Sequence, residues 1–233
     1  MGNATKDTSC NANSNEKPQH KVTLSAYYMD VTETTVAQYK ACVDAGVCTV
    51  PSAVQPAQYA TYPGLTTNPV NNVSWTQSQA YCKWRGAAFD LPTEAQWEMA
   101  ARGSCEKNGS TAGDAGCAAA MRTYPWGEAK PDASYAVFSD SVTAAVGSKT
   151  AGDSPYGLHD MAGNDHEWNR DWYGSYGAGA VTDPVGPASA SYRVYRGGSY
   201  HDAAALLRAG YRHDYAPSDY ADGIGLRCMR SYP

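Results

Sequence analysis

Apolar and polar residues alternate in part along Val22-Thr-Leu-Ser-Ala-Tyr-Tyr-Met29, a run of β-formers that predicts a strand. From Thr32 to Asp44 the period lengthens. Val36, Tyr39, Ala41 and Val43, with Thr and Glu near the start and Gly46 beyond the end, predict a helix. Pro51 to Pro69 is rich in proline and tyrosine and reads as a loop. A second helix follows Ser74, where Trp75, Ala80, Tyr81, Cys82 and Trp84 place an aromatic stripe on one face, which is expected in the core. A third opens at Thr93 as N-cap, with Gln96 at the capping-box position and Glu94 and Glu98 toward the positive end of the helix dipole. After Gly103 no helical period persists, and Gly, Pro, Asp, Ser and Tyr alternate in short pieces. Early helices followed by short strands make an α+β domain, expected over 21–233 behind a polar, flexible segment 1–20. No internal repeat or linker divides it.

Composition narrows the partners. The chain has 233 residues, 42% of them hydrophobic, with 18 Tyr and 6 Trp against 2 Phe. Aromatics with a polar handle suit partly wetted surfaces. A net charge of −5 without a Lys/Arg cluster argues against nucleic acid, and no run approaches the ~20 apolar residues of a membrane span. Among the seven cysteines, Cys42 with Cys48 and Cys105 with Cys117 look like closed loops, with buried free thiols as the alternative. That usage points to an extracellular or cell-envelope location, although no signal-peptide pattern follows Met1. Cys10 is left over.

Several segments resemble, in order and spacing, the formylglycine-generating-enzyme (sulfatase-modifying-factor) family. They include Asp30-Val-Thr-Glu33, Pro69-Val-Asn-Asn-Val-Ser-Trp75, Leu91-Pro-Thr-Glu-Ala-Gln-Trp-Glu98, Tyr124-Pro-Trp-Gly127, Tyr156-Gly-Leu-His-Asp-Met-Ala-Gly-Asn164, Glu167-Trp168, Arg196-Gly-Gly-Ser199 and Gly225-Leu-Arg-Cys228. The resemblance implies a C-type-lectin-like fold with little regular secondary structure. It also implies a Cys82–Cys228 disulfide, which would contribute about 4 to 5 kcal/mol in the chain-entropy model. Met1-Gly2 falls inside a family motif, so an upstream targeting segment is expected. A monomer is expected.

The family's oxidase chemistry needs two cysteines five residues apart, shortly after Gly-Gly-Ser, to hold copper(I). Here no cysteine lies between 118 and 227, and the positions fall on residues such as Asp202, Ala204 or Leu207. No copper is therefore expected. The 24 residues from Ser199 to Asp222 hold six Ala, four Tyr, four Asp and two His, and no Asn, Gln, Lys or Glu. This composition is similar to that of the variable proteins of diversity-generating retroelements, in which adenines of template Asn codons are randomised. Tyr, His, Asp, Ala and Ser are the products of changing the first bases of AAC.

A binding surface for a protein or small-molecule ligand is thus expected from His166, Tyr200, His201, Asp202, Tyr211, His213, Asp214, Tyr215, Asp219, Tyr220 and Asp222. Tyr combines a rigid ring with a hydroxyl at low entropic cost. Asp160, Gly163, Asp165 and Glu167 resemble the family's calcium loop, a hard-cation site of carboxylates and carbonyls. A competing possibility is a two-His, one-carboxylate iron or zinc site from His166, His201 and His213 with Asp202 or Asp214, serving a metal-dependent oxidase.

Overall fold

The computed structural model describes residues 1–2, 15–51, 65–110 and 114–233. Cys10 and most of the Pro51–Pro69 stretch lie outside them. Helix α1 spans Val36–Asp44, α2 Trp75–Trp84, α3 Glu94–Arg102 and α4 Asp114–Ala120. Each of the first three starts at a capping box, Thr35 with Gln38, Ser74 with Gln77 and Thr93 with Gln96. Helix α1 begins later than its pattern predicts because the backbone of Thr34 is already committed: its N–H donates to Leu226 O and its carbonyl accepts from Val70 N. Helix α4 has no counterpart in the sequence reading.

The predicted strand at 22–29 is two strands with different partners. β1 (Val22–Thr23) runs parallel to β5 (Val181–Thr182), and β2 (Tyr27–Met29) runs antiparallel to β9 (Met229–Ser231), which also takes β3 (Phe89–Asp90). The main sheet has the order β7 (Arg212–Tyr215), β6 (Arg193–Arg196), β4 (His166–Trp172), β8 (Ile224–Gly225). Its pairs β6–β7 and β4–β6 are antiparallel and β4–β8 is parallel. Short strands, few helices and long connecting segments give the expected α+β, C-type-lectin-like architecture.

One core cluster joins Tyr39, Trp75, Tyr81, Leu91, Trp168, Ile224 and Leu226, and a second seats α3 through Trp97, Ala100 and Ala101 against Leu158, Met161 and Ala209. Burying side chains of this size contributes about 1.5–3 kcal/mol each. Disulfides join Cys42 to Cys48, Cys82 to Cys228 and Cys105 to Cys117. The second ties α2 to the approach to β9.

Parts of segment 1–20 pack onto this body. Gly2 N donates to Glu98 Oε1 at 2.9 Å. Glu16, 2% exposed, takes both Arg208 Nη atoms at 2.7 Å. Among the described residues, no helix is long and apolar enough to cross a membrane.

Candidate ligand-binding face

Strand alternation gives the main sheet two different faces. Glu167, Arg196 and Arg212 share a row on the face toward α3, where Arg196 pairs with Glu98 and Arg212 pairs with Glu94 at 2.7 Å. On the other face Trp168, Tyr195 and His213 share the next row. Tyr195 is its centre: His213 stacks on it at 5.2 Å between centroids, and His166 and Trp168 meet it edge-on at 4.8 and 5.7 Å. Tyr211 lies beside His213 at 6.2 Å. Burial pushes the Tyr195 hydroxyl above its usual pKa, and the neighbouring Tyr211, Asp202, Asp214 and Tyr215 push it further the same way. The sequence reading missed Tyr195. The signal was its place two residues before Gly197, in a short alternating run.

The turn after β6 is built on glycine. Gly198 has φ +76°, and a Cβ there would come within 2.7 Å of Leu207 Cδ2. Its N–H donates to His166 Nδ1 at 3.0 Å, which places the ring proton on Nε2, 2.7 Å from Asp202 Oδ2. Ser199 donates to the same carboxylate oxygen from its N–H at 2.9 Å and from Oγ at 2.8 Å. Burial pushes the Asp202 carboxyl up, but the bonds from His166 and Ser199 outweigh it and bring the pKa to about 2. Of the positions five apart after Gly-Gly-Ser, Asp202 is thus a hydrogen-bonded carboxylate. Leu207 is fully buried against Ala136, Ala162, Trp126 and Phe138.

The expected surface residues divide. His201, His213, Tyr215 and Asp219 are exposed, while Asp202, Tyr211, Asp214, Tyr220 and Asp222 are half-buried. Asp214 alternates to the opposite side of β7 from His213. Tyr200 corrects the expectation of a surface side chain: it is 3% exposed, and its hydroxyl donates to Asp222 Oδ2 at 2.6 Å. His166 is also buried and acts from beneath. The histidines do not gather, because Tyr195 stands between His166 and His213, and His213 Nδ1 accepts from Asp214 N at 2.9 Å. Among the described residues, no three His, Cys, Asp or Glu side chains form a metal-binding group.

On the Asp160–Glu167 loop, Asp160 Oδ2 accepts from Gly147 N at 2.6 Å. Glu167 takes Arg227 on both oxygens and Trp97 Nε1 at 2.7 Å. Gly163, at φ +80°, lies so close to Val137 that a Cβ would sit 2.4 Å from its carbonyl oxygen. Burial raises the carboxyls of Glu33, Asp160 and Asp165, and neighbouring acids raise each further. Glu33, Asp160 and Glu167 lie near the guanidinium of Arg227. Both oxygens of Glu167 are engaged by Arg227, so the carboxylates of Asp160 and Glu33 are the remaining oxygen donors at the loop of the kind a hard cation takes.

The profile of the sulfatase-modifying factor enzyme 1-like domain matches residues 1–232. The chain belongs to this family. A formylglycine-generating enzyme of Streptomyces coelicolor is 35% identical over 171 residues, covering 71% of this chain and 53% of that protein. A serine/threonine-protein kinase pkn1 of Chlamydia pneumoniae is 34% identical over 233 residues, covering 93% of this chain but only 35% of its own length. The chain thus spans about a third to a half of these family relatives. Among solved structures, Treponema denticola variable protein 1 superposes with a TM-score of 0.72 at 27% identity, covering 99% of this chain and 91% of that one. The chain therefore unites a sulfatase-modifying-factor domain with the likeness to a variable protein.

Proposed function

We propose that this chain is a ligand-binding domain whose Ser199–Asp222 segment presents the contact side chains, and that it lacks formylglycine-generating activity. The observation that carries this reading is the division of labour within the segment. Leu207, Arg208 and Arg212 are buried and tied to the body, while His201, Ala203, Ala205, His213, Tyr215 and Asp219 are exposed between them. Rigid aromatic and short polar tips on a fixed scaffold are the composition of adaptable paratopes. The Treponema variable protein supports the further reading that these tips are diversified by a retroelement. With aspartate and a buried leucine after Gly-Gly-Ser, no thiolate pair is present there for copper(I).

Calcium on the Asp160–Glu167 loop belongs to this reading as a structural ion holding the turn below the face. The disulfides support an extracellular or cell-envelope setting.

Sequencing the locus provides the test. A near-repeat of the codons for 199–228, carrying Asn codons at the Tyr, His, Asp and Ala positions beside a reverse transcriptase, is the expected result. Stoichiometric iron or copper in the purified protein, abolished by His201→Ala with His213→Ala, would overturn it in favour of an oxidase.

A further inference from the structure

Two acids approach each other beneath the binding face, and among the described residues neither has an ion-pair partner. Asp165 ends the turn into β4 and Asp222 lies two residues before β8. These strands run parallel with His166 opposite Ile224, so their leading ends lie side by side. Asp165 is fully buried; its Oδ1 accepts from Asn71 Nδ2 at 3.3 Å, and its buried Oδ2 has no hydrogen-bond partner. Asp222 repeats the pattern, with Oδ2 accepting from the Tyr200 hydroxyl and Oδ1 buried without a partner.

A buried carboxylate oxygen without a donor is costly, and two of them with like charge are worse. The nearby guanidinium of Arg227 is committed to Glu167 and to the carbonyls of Asp30, Val31 and His159. One neutral oxygen lies close by. A Cβ on Gly225 would sit 2.4 Å from Val70 O and 3.2 Å from Asp165 Oδ2, so only glycine lets the β8 backbone pack this near to the two oxygens. Asn71 turns its Nδ2 to Asp165 Oδ1, while its own oxygen accepts from Asn72 Nδ2 at 3.0 Å.

We propose that Asp165 and Asp222 bind a calcium ion between the scaffold and the Ser199–Asp222 segment, with the Val70 carbonyl as a further oxygen ligand. Calcium accepts such mixed and irregular oxygen sets at about 2.3–2.6 Å. The site differs from the Asp160–Glu167 loop, since it uses the Asp165 side chain and none of the loop's other ligands. Through Asp222 and Tyr200 the ion would fasten the segment at both ends to β4. This consequence for binding rests on the reading of the segment given above, whereas the site itself does not.

The experiment is thermal denaturation in EDTA and in calcium, paired with terbium luminescence excited through tyrosine. Calcium at about a hundred-fold excess over its dissociation constant should raise the wild-type Tm by about 5 °C or more. Terbium emission should appear through Tyr200, with one ion bound here in addition to the loop ion. Asp165→Asn and Asp222→Asn should each lower the terbium stoichiometry by one, reduce the calcium response, and melt above wild type in EDTA because an unbalanced charge has gone. Asp160→Asn should keep the ion that these two variants lose. A stoichiometry unchanged in Asp165→Asn and Asp222→Asn, or lowered only in Asp160→Asn, would leave the loop as the site and overturn the proposal. Absence of any calcium response in wild type would overturn it too, leaving a carboxyl pair that shares a proton. None of these outcomes bears on the codon repeat that tests the segment as a binding face.

Discussion

His166 Nε2 donates to Asp202 Oδ2 at 2.7 Å, joining the first residue of β4 to the turn that follows Gly-Gly-Ser. The bond fixes the base of the exposed segment from below. His166→Phe keeps the ring against Tyr195 but removes both polar contacts, and should cost about 1–3 kcal/mol at pH 7 in urea denaturation. The Asp202 carboxyl has a depressed pKa, so its contribution is present above the unfolded value near 4 and is lost as pH falls toward about 2. The gap between variant and wild type should therefore narrow across that window. A gap that stays constant would show that Asp202 is not the partner that matters.

Asp171 has the opposite sign. Burial first, and the Glu94 charge second, raise its carboxyl to about 7, although its Oδ2 accepts from Glu94 N at the start of α3. A raised carboxyl penalises the folded state as pH climbs from about 4 to 7. Asp171→Asn should thus match wild type in Tm near pH 4 and exceed it at pH 8. Equal melting at both values would contradict the assignment.

The disulfides should rank by the loops they close. Cys82 and Cys228 are 146 residues apart and Cys42 and Cys48 only 6. In the chain-entropy model these contribute about 5 and about 2 kcal/mol respectively. Calorimetry of the paired serine variants should show the larger loss for Cys82 with Cys228.

Tips and anchors should separate under alanine. His201→Ala, His213→Ala, Tyr215→Ala and Asp219→Ala should each stay within about 0.5 kcal/mol of wild type. Leu207→Ala, which empties a fully buried position, should cost about 2–5 kcal/mol. Comparable losses in both groups would mean that the exposed side chains are structural.

What the sequence made legible was mostly local. The Thr93–Gln96 capping box lies within one helical turn, and the Cys42–Cys48 and Cys105–Cys117 loops are short in sequence. The motif order carried the fold and, through it, the Cys82–Cys228 pairing. What stayed hidden depends on residues far apart in the chain. Alternation says that Tyr200 and His201 point to opposite sides, but only the Asp222 partner turns Tyr200 inward. Glu16 looked like part of a polar tail until Arg208, 192 residues later, buried it. The gathering of histidines failed for a similar reason, since nothing in their spacing places Tyr195 between them.

The alternation along β7 has one more consequence. Arg212 is locked to Glu94 on one side of the strand while His213 and Tyr215 face outward from the next positions. Folding energy and contact chemistry are thereby assigned to different residues of the same few-residue stretch. Substitutions at the outward positions therefore place almost no load on the native state, so under the proposed function recognition and folding would be selected on this chain as nearly independent pressures.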